Sequence, residues 1–140
     1  MDEEERKALT AIRALAGLET RHRSFLTHIA AQSDVAINGG TVTVEDDIII
    51  VNSLGVLCTT KRRPVAVNGV PVASEYTFTS SFENEEVAIW RIYLDVQGNI
   101  YEDSAFSNRF GDYNGTYIRN NIVLALAGKL LKSNLFAPKA

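Results

Sequence analysis

Between Thr41 and Phe106 the chain offers no stretch long enough for a crossover helix. Apolar and β-branched runs follow one another through turns of a few polar residues, and short connections of that kind join antiparallel strands. Asn38-Gly39-Gly40 is a turn that leads into residues 41–44, and the charged loop Glu45-Asp46-Asp47 leads into residues 48–51. Asn52-Ser53 separates that strand from residues 54–60, and Lys61-Arg62-Arg63-Pro64 reads as a basic turn. Asn68-Gly69, the strongest short hairpin signal, lies between residues 64–67 and 70–80. Pro64 and Pro71 place that pair near a sheet edge, because proline donates no ladder bond. Tyr76, Phe78 and Ser80 alternate with Thr77 and Thr79, as a half-buried strand should, and residues 83–86 form another charged turn.

Helical patterns flank these strands. Residues 3–31 read as one helix, with Asp2 as cap and Glu3, Glu4 and Glu5 where the helix dipole favours negative charge. Ala8, Ala11, Leu15, Leu18, Phe25 and Ile29, with Ile12 and Leu26 beside them, make one apolar stripe interrupted by His22, while His28 points to solvent. The stripe suits packing on the sheet, and its near-heptad spacing also suits pairing with a second copy. A last helix over residues 117–134, capped by Thr116 or Asn114, is apolar all round from Ile122 to Ala127. Such a helix is sandwiched between layers or buried between subunits. The expected fold is α+β in a single domain, residues 1–140: an N-terminal helix, an antiparallel sheet of five to seven strands in meander order, and a C-terminal helix packed on the sheet.

Residues 87–106 form the hairpin at the centre of this plan. Asp95-Val96-Gln97-Gly98-Asn99 suits a three-residue loop with Gly98 left-handed. That register opposes Leu94 with Ile100, Tyr93 with Tyr101, Ile92 with Glu102 and Arg91 with Asp103. Trp90, Ile92, Leu94 and Ile100 then face the core; Ile89, Arg91, Tyr93, Tyr101 and Asp103 share the other face. Two tyrosines beside an arginine suit recognition of a ring, a carboxylate or a phosphate. Arg109 and the loop from Gly111 to Gly115, which opens onto a helix N-terminus, extend this into a candidate anionic-ligand site. Arg62, Arg63, Gly115 and Thr116 are further candidate anion contacts.

No catalytic, metal or cofactor motif stands out. Two histidines and one cysteine lack metal-ligand spacing, and Cys58, in an apolar run, reads as a core residue. The net charge of −3 disfavours general nucleic-acid binding. The lone cysteine, the acidic start and the lack of a membrane-length apolar run point to a cytoplasmic protein. Three functions follow, in order. The first is a homo-oligomeric protein-interaction module, an inhibitor, adaptor or chaperone-like protein. The second is a binder of a small anionic ligand such as a nucleotide or phosphorylated metabolite. The third is an acid–base enzyme using Asp103, Tyr93 and His22 in a pocket under the curved sheet.

Overall fold

The computed structural model describes residues 1–31, 40–133 and Leu135; the turn read at Asn38-Gly39 and the end of the last helical pattern at Asn134 lie outside them. Helix α1 (Glu3–Ala31) is followed by strands β1 (Gly40–Glu45), β2 (Ile48–Ser53), β3 (Val56–Val67), β4 (Val70–Phe82), β5 (Glu85–Asp95), β6 (Asn99–Tyr101) and β7 (Arg109–Asp112), then by helix α2 (Ile118–Leu131). The strands form one seven-stranded sheet in the order β1 to β7, each antiparallel to the next. The sheet curls into a half-barrel, and both helices pack into its hollow.

The turns explain the meander. Asp46-Asp47 (φ 50° and 62°), Leu54-Gly55 (52° and 76°), Asn68-Gly69 (53° and 79°) and Glu83-Asn84 (51° and 64°) each join two strands directly. Positive φ at both central residues is the type I′ geometry, whose twist matches that of the strands it joins. The fifth connection has Gly98 at φ 96°, its N–H donating to Asp95 O at 3.1 Å, as expected. A Cβ there would also lie 2.4 Å from the Tyr113 ring, so the position excludes other residues on two grounds.

Several boundaries differ from the sequence reading. Lys61-Arg62-Arg63-Pro64 is no turn but the middle of β3, where the side chains alternate between the two faces. Glu85 and Glu86 belong to β5. The loop expected after Phe106 contains β7, which pairs with β6. Helix α2 starts at Ile118, and its N-cap residue is Tyr117, which makes no side-chain cap bond. Asp2 does cap α1, accepting from Glu5 N at 2.7 Å.

The core joins Leu18, Phe25 and Ile29 of α1 and Ile122, Leu126 and Leu130 of α2 to the inward row Tyr76, Phe78, Trp90, Ile92, Leu94 and Ile100. The α1 stripe packs only from Leu18 onward; Leu15 is 41% and Ile12 63% exposed. His22 lies within the packed part. It is 2% exposed, and its Nδ1 shares a hydrogen bond of 2.7 Å with the hydroxyl of Tyr76. His28 is half-buried rather than turned fully to solvent: its Nε2 donates to Gly115 O at 3.0 Å, tying α1 to the loop before α2. Arg119 of α2 donates to Val42 O of β1 and, at 3.1 Å, to Ile29 O of α1, so one guanidinium ties the β1 margin to the end of α1. Ser53 Oγ donates to Val123 O at 3.0 Å on the same side of the hollow.

Phenylalanine in place of Tyr76 keeps the ring packing and removes the partner of a buried imidazole nitrogen. The expected loss of stability is about 1–3 kcal/mol, read as a lower urea midpoint. An unchanged midpoint would show that the pair contributes nothing.

Candidate functional site

On the sheet face away from the helices, Arg63, Glu75, Tyr93 and Tyr101 stand opposite one another on β3, β4, β5 and β6. Glu75 is the centre of this row and is only 5% exposed. Arg63 Nε donates to Glu75 Oε1 at 2.8 Å and Nη2 to Oε2 at 3.4 Å. Burial pushes the Glu75 carboxyl pKa up, but hydrogen bonds from Arg63 and Tyr93 and the charges of Arg63 and Arg91 outweigh it, so the group titrates below its ordinary 4.5. Tyr93 moves the other way, raised by its own burial and by its bond to the Glu75 carboxylate. Phe106 then packs edge-on against both tyrosines, its centroid 6.1 Å from that of Tyr93 and 5.5 Å from that of Tyr101.

The expected register holds for Leu94 with Ile100 and Tyr93 with Tyr101 and goes no further, because β6 ends at Tyr101. Asp103 therefore does not oppose Arg91 on a strand. Its carboxylate instead accepts from Asn108 N at 2.7 Å, Ser107 N at 3.0 Å and Ser107 Oγ at 2.5 Å. These bonds, led by that from the Ser107 hydroxyl, hold its pKa below the ordinary value. Asp103 thus shapes the loop that carries Phe106, which sits at φ 56° with its N–H bonded to Asp103 O at 3.2 Å. Ile89 also departs from its expected face. Trp90 opposes Phe78 and Ala88 opposes Thr79, which leaves Ile89 as the extra residue of a bulge, packed against the core.

Because β6 is short, Glu85–Ile92 of β5 has no strand on that side among the described residues. A groove of about 420 Å³ runs along this margin, lined by Ala88, Ile89, Trp90, Arg91 and Tyr93 of β5, by Glu102, Asp103 and Ser104, and by Lys129 of α2. The structure thus brings Arg91, Tyr93 and Asp103 to one concavity; Tyr101 lies beside it under Phe106. The Glu102 carboxylate accepts from Trp90 Nε1 at 3.2 Å, and Asp103 is taken by its loop. Among the described residues Arg91 and Lys129 make no hydrogen bond or ion pair.

The remaining candidates are engaged elsewhere. Arg62 points to the helix side, donating to Glu19 Oε2 at 2.5 Å and Ser74 Oγ at 3.3 Å. Arg109 is paired with Asp112. Gly115 N–H donates to Asp112 O at 3.0 Å, and Thr116 is engaged within the chain. His22 lies on the opposite side of the sheet from Tyr93 and Asp103, shut in the core, where burial and then the Arg62 charge hold its pKa below 6.5. Cys58 is buried, and burial pushes its thiol up to about 11, which makes it a poor nucleophile.

Glu75 and Lys129 are absent from the sequence reading. Counting back from Asn68-Gly69 without interruption opposes Arg63 to Ser74; the register shift at Val65/Ala66 brings Glu75 there instead. No residue pattern announces that bulge. Comparison with models of protein families, with curated proteins and with solved structures finds no match to this chain.

Replacing Arg63 with alanine leaves Glu75 buried beneath Tyr93 and removes its closest positive charge. The Glu75 carboxyl pKa is expected to rise, followed by carbon-detected NMR titration. If it stays where it was, Arg63 does not hold the carboxylate charged.

Proposed function

We propose that this chain is a protein-interaction module of the inhibitor, adaptor or chaperone-like kind, which takes an extended peptide along the open margin of β5. The single observation that carries this reading is the coincidence of that unpaired margin with the groove of Arg91, Tyr93 and Lys129. An exposed strand edge supplies main-chain affinity to any extended segment, and side chains beside it supply selectivity. Another open stretch of sheet, Lys61–Val67 of β3 beyond the end of β2, carries Lys61, Arg62, Arg63 and Pro64, residues that discourage strand addition. The β5 margin instead presents Ala88, Ile89 and Trp90. Glu102 and Asp103 are hydrogen-bonded within the chain, whereas the donors of Arg91 and Lys129 make no hydrogen bond or ion pair among the described residues, so the donors left for a peptide's side chains suit acidic ones.

Capture of a small anionic metabolite, the second reading, is supported by the same two cations, but Arg62, Arg63 and Arg109 are already ion-paired within the chain. The acid–base reading has least support, since its three groups lie on two sides of the sheet. Peptides selected from a random display library are expected to shift the backbone amides of Glu85–Ile92, and the double change Arg91→Glu and Lys129→Glu should weaken acidic peptides about tenfold. Shifts confined to another edge, or no selectable peptide, would remove the proposal.

Assembly into a homo-oligomer belongs to this reading. Helix α2 turns Leu124 (56% exposed) and Leu131 (62%) outward, one heptad apart, and α1 exposes Ile12 and Leu15. Light scattering at micromolar concentration should report a dimer or larger species, reduced to monomer by Leu124→Glu with Leu131→Glu. A monomeric parent protein would refute it. Among the described residues no helix is long and apolar enough to cross a membrane. Cytoplasmic residence is part of the proposal, supported by the single buried thiol of Cys58.

A further inference from the structure

We infer that the space between the N-terminal half of α1 and the start of β4 is a binding cavity for a small amphipathic anion, an apolar body with a carboxylate head. The cavity, about 410 Å³, has walls of Ala14, Gly17, Leu18, Val72, Val96 and Phe106. That volume lies in the range of small-molecule sites, and apolar walls with few polar groups are their usual make-up. It persists for a reason visible in the helix. Ala14 and Gly17 face the sheet here, while the larger Ile12 and Leu15 are exposed to solvent. A Cβ on Gly17 would stand 3.1 Å from Val96 Cγ2, so glycine lets the β5–β6 turn close one wall.

The hydrogen-bonding capacity left in the lining decides what kind of apolar ligand fits. Arg13 and Asp95 are the charged residues of the lining. The Asp95 carboxylate is occupied by its own turn, accepting from Asn99 N at 2.9 Å and Asn99 Nδ2 at 3.2 Å. Asp95 keeps its charge but its oxygens face its own turn, whereas Arg13 makes no hydrogen bond or ion pair among the described residues, so the guanidinium is the charged group of the lining with donors left for a ligand. Burial of an acyl or aromatic body would drive association, and the guanidinium would hold the head at the mouth. The site is separate from the β5 margin, although Phe106 lines the cavity and packs on Tyr93 and Tyr101.

Dodecanoate is the probe, titrated below its self-association concentration into the full chain and followed by calorimetry and methyl NMR. Saturable binding to one site is expected, with methyl shifts at Leu18, Val72 and Val96. Arg13→Glu should weaken dodecanoate about tenfold and leave uncharged dodecanol unchanged. Ala14→Phe, checked for native circular dichroism, should fill the space and abolish both. The inference is overturned by absence of saturable binding, by equal loss of both probes in Arg13→Glu, or by shifts centred on Ile12 and Leu15, which would mark a self-association face instead.

Discussion

A curled antiparallel sheet has margins whose N–H and C=O groups need partners, and much of this molecule is arranged around that requirement. The β1 margin receives a donor from Arg119 of α2 at Val42 O, and the same guanidinium reaches Ile29 O of α1. The free stretch of β3 is defended by charge and by Pro64. The margin of β5 carries Glu85, Glu86 and Arg91 but has no proline, and among the described residues no side chain caps it. A bulge at Ile89 breaks its regularity, and a groove opens beside it instead of a covering segment. Functional interpretation rests on this difference between the margins of β1, β3 and β5.

The outer face of the sheet depends on a buried carboxylate. Glu75 stays charged because Arg63, Tyr93 and Arg91 compensate its loss of solvent. Tyr93 is thereby held by its hydroxyl at one end and by the edge of Phe106 at its ring. Asp103 holds the loop that brings Phe106 there. A row that reads as surface residues in the sequence is therefore a second, smaller packed layer, and it fixes one wall of the groove.

Much of the fold was legible in the residues, because strand order in a meander follows from turn length alone. Helix α1, its Asp2 cap, the hairpin at Asn68-Gly69 and the pairing of Tyr93 with Tyr101 all rest on local chemistry. The site was legible only in part. Arg91, Tyr93 and Asp103 do meet at one groove, yet Asp103 acts through backbone donors that no side-chain pattern reveals. Glu75 reached its place through one bulge at Val65/Ala66, between the Asn68-Gly69 turn and Arg63, and a second before Tyr93. A one-residue shift changes every partner beyond it, so registers counted from turns fail after a bulge. The two halves of α1 were indistinguishable because the sequence does not show which residues of the first half face the sheet: they are Ala14 and Gly17, while Ile12 and Leu15 are exposed.

The four type I′ turns have a bearing on how the chain finds this structure. Each makes its two strands neighbours in sequence as well as in space, so the pairings from β1 to β5 form by zipping outward from two residues with little loop entropy to overcome. The contacts between α1 and the sheet are of another kind, joining residues as distant as His22 and Tyr76. Topology of this sort assigns speed to the hairpins and the slow step to the docking of the first-made helix, whose partners are synthesised after it.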